Sequence, residues 1–180
     1  MLILRKPELS DKDQYIEMIG EWQMFGGPYV PCIVDFDCSN KIEELNYNSL
    51  LEVVKHYGEG NLLGDDKDYF ESSDFYFVFD KEKLIGVCEV RKNLTNLGEK
   101  TIGHLACGIR PAMRAKGYAT IVFNQMLSLL KKDGITEAIG CCYAANHITP
   151  KIFESLGFTF KHTITSDVSK KEINCYLKTI

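Results

Sequence analysis

Between Cys107 and Thr120 the chain reads Cys-Gly-Ile-Arg-Pro-Ala-Met-Arg-Ala-Lys-Gly-Tyr-Ala-Thr, a basic, Gly-containing turn leading from a stretch of strand character into one of helical spacing. Such a turn is suited to holding a phosphate. The first N–H groups of a helix lack intrahelical partners and sit at the positive end of the macrodipole, so an anion placed there gains hydrogen bonds and charge compensation together. Gly117 has no Cβ to hold a ligand off, and Arg114 and Lys116 add cationic side chains. One Gly and two basic residues also occur in ordinary strand-to-helix turns, so the meaning of the stretch depends on its surroundings. There is no Gly-x-x-x-x-Gly-Lys-Ser/Thr loop to indicate a nucleotidase. His56, His104, His147 and His162 show no paired spacing with carboxylates or thiols, and no metal site is expected.

The elements that must position this turn can be read from hydrophobic periodicity. Leu2 to Arg5 is a short strand stopped by Pro7, and Ser10 offers an N-cap, with Asp13 three residues on, for a helix carrying Tyr15, Ile16, Ile19 and Trp22. From Met24 to Cys38, Gly26, Gly27, Pro28 and Pro31 punctuate a run holding Phe25, Tyr29, Phe36, Asp35 and Asp37, which either lines an acceptor pocket or pins a loop to the core. Ser39 or Asn40 caps a second helix ending at Gly58, residues 58–74 read as loop, and Phe75–Phe79 with Leu84–Arg91 reads as an antiparallel hairpin. Asn93 to Glu99 makes a turn before a third strand, Thr101–Arg110. A helix over 117–132 and a strand over 137–143 complete a βαβ unit, hence a parallel strand pair. Thr149 and Pro150 start a short helix that ends at Gly157, and two terminal strands follow.

Composition sets the frame. The 180 residues fit one domain spanning 1–180, with ordinary apolar and charged fractions. The N-terminus meets Arg5 and Lys6 almost at once, too soon for a signal-peptide core, and no run approaches the ~20 apolar residues of a membrane span, so a cytoplasmic location without membrane attachment is expected. Seven cysteines with no Cys-x-x-Cys pair suggest reduced, mostly buried thiols. Residues 1–80 hold 6 Lys/Arg against 17 Asp/Glu, or −11, while residues 81–180 hold 15 against 8, or +7. A basic half suits an anionic ligand and an acidic half a cationic one, although solvated faces can also differ in this way. The acidic total and the lack of a basic stripe argue against nucleic acid.

Two motifs carry a resemblance. Arg114-x-x-Gly117-x-Ala119 after Ile109-Arg110-Pro111 resembles the acyl-CoA pyrophosphate loop of the GCN5-related N-acetyltransferase (GNAT) superfamily, Gln/Arg-x-x-Gly-x-Gly/Ala. Asn146-x-x-Thr149-x-x-x-Phe153-x-x-x-Gly157-Phe158 resembles its C-terminal motif, Asn-x-x-Ala-x-x-x-Tyr-x-x-x-Gly-Phe. Their order and spacing agree with the elements between them. The resemblance implies an α+β fold with a mixed six- or seven-stranded sheet flanked by helices. It also implies a variable acceptor-side portion over residues 1–74 and an acetyl-CoA-binding core over 75–180, with the two parallel strands splayed around the co-substrate. It places pantetheine along Cys107, Gly108 and Ile109, and the pyrophosphate on Arg114, Ala115, Lys116, Gly117, Tyr118, Ala119 and Thr120. Asn146 and Phe153 lie beside CoA on the same analogy.

The implied activity is transfer of an acetyl group from acetyl-CoA to a primary amine of a small molecule or peptide, by direct attack in a ternary complex. The amine must be neutral, which calls for a base. His104, on the strand entering the turn and with an ordinary pKa near ~6.5, is the first candidate, and Glu89 on the neighbouring strand is the second. Phe153 stands where many members carry the Tyr that protonates the leaving thiolate, so Tyr143 or Tyr118 must donate instead, or the thiolate leaves into water. The missing hydroxyl also admits a non-catalytic acyl-CoA sensor or assembly module. A third option is a scaffold holding some other anion. A cationic small-molecule acceptor and a homodimer through the terminal strands are further expectations.

Overall fold

The computed structural model describes residues 2–26, 46–167 and 169–180. The Gly/Pro loop beyond Gly26, with Asp35 and Asp37, and the Ser39/Asn40 helix start lie outside the described residues. Among the described residues there are seven strands: β1 (Leu2–Arg5), β2 (Phe70–Asp80), β3 (Lys83–Leu94), β4 (Leu105–Ile109), β5 (Glu137–Tyr143), β6 (Thr159–Thr165) and β7 (Glu172–Thr179). The helices are α1 (Lys12–Phe25), α2 (Tyr47–Gly58), α3 (Asn96–Thr101), α4 (Tyr118–Lys132) and α5 (Thr149–Ser155). The α+β class with helices flanking seven strands is the one expected.

Phe75–Phe79 and Leu84–Val90 read as nearly unbroken apolar runs because both of their faces are covered. On one side Phe75, Phe77, Phe79, Leu84 and Val87 pack with Tyr15, Met18, Ile19 and Trp22 of α1 and Tyr47, Leu50 and Val54 of α2. On the other, Val78, Ile85, Cys88 and Val90 meet Val122, Phe123, Met126, Leu127 and Leu130 of α4. The helix spacing supplies each stripe, with Met18 taking the inward position that Ile16 was expected to hold.

Four local expectations change. The α1 start is a 3₁₀ turn, Leu9–Asp11, in place of a Ser10 cap; Asp11 is buried and gripped by Arg5 through contacts of 2.7 and 2.5 Å, which makes it the anchor of that turn. β2 begins at Phe70 within the expected loop, because Phe70 and Ser72 pair with Leu94 and Lys92. The turn after β3 contains α3, capped by the Thr95 hydroxyl on the Gly98 amide at 3.1 Å. That helix shortens the third strand to Leu105–Ile109, leaving His104 ahead of it.

The fourth concerns the parallel pair. The ladders run β1-β2-β3-β4 and β5-β7-β6, every one antiparallel. Among the described residues β4 and β5 share no ladder and are joined by one bridge, Gly103 to Gly140. Gly103 has φ +65°, and a Cβ there would lie 2.6 Å from the Ile139 carbonyl, so only Gly fits this junction. Beyond it, among the described residues, one edge of β4 pairs with no other strand. At the far edge of the second sheet β6 is almost wholly exposed, with Phe160 on its surface.

Candidate active site

The free edge of β4 follows from its register with β3. Arg91 N–H donates to His104 O at 2.8 Å and Arg110 N–H to Ile85 O at 2.9 Å. Alternation therefore turns the backbone groups of Ala106 and Gly108 toward β3 and those of Leu105, Cys107 and Ile109 toward the open side. The Ile109 carbonyl accepts from Arg114 Nε at 2.9 Å. The Cys107 amide and carbonyl thus offer an extended ligand a strand to pair with.

From this edge the chain passes Arg110, a 3₁₀ turn over Pro111–Met113 and Arg114–Lys116 before α4 begins. Gly117 is the N-cap, with φ +79° and ψ 0°, so no cap side chain covers the first amides of α4. A Cβ at Gly117 would meet nothing within 4 Å, so the backbone angle, together with room for an incoming ligand, accounts for glycine here. Ala115 is also left-handed, at φ +60°. Arg114, Ala115 and Lys116 are exposed, while Tyr118, Ala119 and Thr120 are half-buried. Lys116 Nζ lies 3.6 Å from the Met113 sulfur. Tyr118 Oη donates to Asp80 at 2.7 Å, and that bond raises the Tyr118 pKa. The loop is strongly braced from below: Arg110, 0 % exposed, donates to Leu84 O at 3.0 Å, to Glu17 at 2.8 Å and to Glu21.

His104 occupies the foot of the opening between β4 and β5. Its N–H donates to Ile139 O at 2.8 Å, and its Nδ1 accepts the Ile139 N–H at 3.0 Å. The ring replaces a backbone carbonyl in joining the sheets. Burial is the main cause that moves its pKa down to about 4, with Arg91 adding to the effect. At neutral pH the imidazole is therefore uncharged, with Nδ1 occupied and the proton on Nε2.

Glu89 lies across the strand pair, opposite Ala106. Period-two alternation places Glu89 and Arg91 on the α1/α2 face, where Arg91 Nη2 donates to Glu89 Oε2 at 2.7 Å. Both side chains are buried. Arg91 also reaches the Gly103 carbonyl at 3.4 Å, linking the carboxylate to the sheet junction, and lies 5.7 Å from the Phe70 ring centre. Tyr57, donating to Asp66, has its pKa raised chiefly by burial and more weakly by Glu89.

The remaining candidates are separated from one another. Tyr143 ends β5, 43 % exposed as a residue, with the Lys171 ammonium 5.2 Å from its ring centre. Asn146 is exposed, and its Oδ1 accepts from the Ile148 and Thr149 amides at 3.0 Å each; it, rather than the Thr149 side chain, supplies the hydrogen bonds at the start of α5. Phe153 is a correction. It is 0 % exposed and packs on Phe123, Phe158 and Tyr176 with centroid separations of 5.3, 4.8 and 5.5 Å, so it presents no surface to a ligand. Sequence reasoning missed Arg91, Tyr57 and the bracing role of Arg110. The Glu-x-Arg spacing in an otherwise apolar strand was an available signal, since residues two apart share a face and a buried charge needs a partner. Among the described residues there is no cluster placed to hold a metal, and no helix is long and apolar enough to cross a membrane.

Several solved structures share this architecture. The microcin C7 self-immunity acetyltransferase MccE, in complex with acetyl-CoA and AMP, superposes with a TM-score of 0.67 at 17% identity, over 99% of this chain and 92% of that one. The ribosomal α-N-protein acetyltransferase RimL, in complex with coenzyme A, gives 0.68 at 13% identity over 99% and 94%. A chimera of the spermidine N-acetyltransferase SpeG, from Vibrio cholerae and hSSAT, gives 0.64 at 15% over 99% and 95%. At these identities the likeness is one of fold. No curated protein sequence matches significantly. The family profile for the acetyltransferase (GNAT) domain matches residues 1–159, and the chain therefore belongs to the GNAT acetyltransferase family.

Proposed function

We propose that the protein is an acetyl-CoA-dependent N-acetyltransferase that passes the acetyl group to a primary amine by direct attack in a ternary complex. The observation that carries this reading is the unpaired edge of β4 running into the Gly117-capped start of α4. An amide-rich arm can pair with Cys107 while a diphosphate meets the first amides of α4, flanked by Arg114 and Lys116. The residues present therefore fit acetyl-CoA. Solved relatives described as holding acetyl-CoA or coenzyme A support the same donor. A cytoplasmic setting, which supplies acetyl-CoA and keeps thiols reduced, suits this chemistry.

For proton removal we assign Glu89, acting through water because its carboxylate is buried beside Arg91. His104 is the weaker candidate, since taking a proton at Nδ1 would break its bond to Ile139. Tyr118 is engaged with Asp80, which leaves the exposed Tyr143 as the donor to the departing thiolate. Positioning of both substrates supplies much of the rate, with the base adding about 10²–10⁴-fold. The acidic excess of residues 1–80 favours a cationic small-molecule amine over a neutral acceptor, with peptide N-termini the next class. The test is free thiol release from acetyl-CoA against a panel of polyamines, amino acids, aminoglycosides and N-terminal peptides. Amine-dependent release is expected, and its absence across the panel together with tight acetyl-CoA binding would establish the sensor reading that the buried, hydroxyl-free Phe153 motivates. No acetyl-CoA binding in the micromolar range would sink both.

A further inference from the structure

We propose that Cys141 and Cys175 form an oxidisable dithiol whose closure to a disulfide ties β5 to β7 and releases α3. The two residues face each other across the β5–β7 ladder. Ala144 N–H donates to Glu172 O and Ile180 N–H to Thr136 O, each at 2.9 Å, so hydrogen-bonded pairs fall at every second position between them and Cys141/Cys175 is a non-hydrogen-bonded pair. At such a pair the Cα atoms approach to about 4.5 Å, within the ~4.4–6.8 Å that a disulfide spans. The sulfurs are already 3.1 Å apart. Cys141 is partly exposed, which gives an oxidant access, while Cys175 is buried behind it as the resolving partner.

A second cysteine pair of the same register serves as an internal comparison. Cys88 and Cys107 also lie directly opposite at a non-hydrogen-bonded position. Cys88 is wholly buried, and burial pushes its thiol well up and that of Cys107 up to about 12, so both stay protonated and unreactive.

The consequence reaches the site through α3. Cys175 Sγ–H donates to Lys100 O at 2.9 Å, and Cys141 Sγ lies 3.6 Å from Glu99 O. Both carbonyls belong to α3, three to five residues before the Gly103–His104 junction. The oxidation uses a peroxide. A thiol of the pair gives up its proton and attacks one peroxide oxygen, breaking the O–O bond to become a sulfenic acid, and the departing hydroxide takes up that proton as water; the other thiol displaces the sulfenic oxygen as a second water and the S–S bond forms. Two thiols lose two electrons and hydrogen peroxide becomes two waters, so both S–H donors to α3 disappear.

The test treats the full chain with hydrogen peroxide, alkylates free thiols, digests and identifies linked peptides, alongside amide exchange over residues 96–104. The expected result is a Cys141–Cys175 crosslink, loss of two of the seven alkylatable thiols, restoration by dithiothreitol and at least tenfold faster exchange in α3 of the oxidised form. In Cys175→Ser the crosslink is lost and Cys141 remains as an adduct. A crosslink that joins Cys88 to Cys107 instead, a Cys141 that overoxidises without pairing, or an unchanged α3 exchange rate in crosslinked protein overturns the proposal.

Discussion

Replacing Phe153 by Tyr would restore the residue that many GNAT members carry, yet the packing here predicts harm. The Phe153 Cζ stands 2.6 Å from where a Cβ at Gly140 would be, and its ring edges stand 2.7 and 3.0 Å away, so the ring lies directly over Gly140. Phe123, Phe158 and Tyr176 close the other sides. A hydroxyl on Cζ enters space already filled, at about 1–3 kcal/mol for overpacking. If the hydroxyl finds no partner, a further ~1–3 kcal/mol follows. Together these give about 2–6 kcal/mol, or a fall in Tm of roughly 4–24 °C for a chain of this size. Thermal unfolding followed by circular dichroism measures it, with Phe153→Leu as a volume control and Gly140→Ala pressing on the same contact from the opposite side. Turnover at a temperature where both proteins are folded should not rise. A Tm equal to wild type with faster turnover would refute the reasoning and return position 153 to the thiolate.

His104 makes stability depend on pH. Its folded pKa, about 4, lies below its ordinary value of 6.5, so the unfolded chain binds more protons between these limits; the contribution is complete above about pH 6.5 and is lost as pH falls toward 4. The size is on the order of 3 kcal/mol, and urea melts at pH 7.5 and 4.5 should show a smaller difference in His104→Gln, which keeps an acceptor but does not titrate; equal slopes reject the assignment. Glu89→Gln should lower kcat by about 10²–10⁴-fold with a smaller change in KM, and an unchanged kcat removes Glu89 as the base. Gly117→Val should weaken acetyl-CoA binding by about tenfold or more, because a β-branched residue resists φ +79° and its side chain would enter the anion's approach; calorimetry showing wild-type affinity contradicts the cradle.

What could be read in advance divides along physical lines. The α4 stripe and the Phe75–Phe79 strand were legible because their periodicity reflects burial by neighbours on known faces. The Gly117 turn was legible because its φ restricts the residue type. The commitment of His104 to Ile139 depends on a residue 35 positions away, which no local pattern records. Phe153 misled for a similar reason: a motif gives the position on α5, while Gly140, Phe158 and Tyr176 decide where the ring points. The start of β2 was hidden because Phe70–Asp74 is mostly polar, and its pairing with β3 overrides weak propensity.

The Arg110 contacts bear on how the chain can be divided. They span 93 and 89 positions to Glu17 and Glu21, so the loop proposed to receive the donor is held by carboxylates from the opposite end of the sequence. A fragment beginning at residue 75 would leave the buried Arg110 guanidinium without either counter-charge, and a buried charge without its partner is destabilising. The cradle is therefore not a portable module: its assembly must wait for α1 to dock, and exchanges of the first helix between relatives would need to carry both glutamates with them.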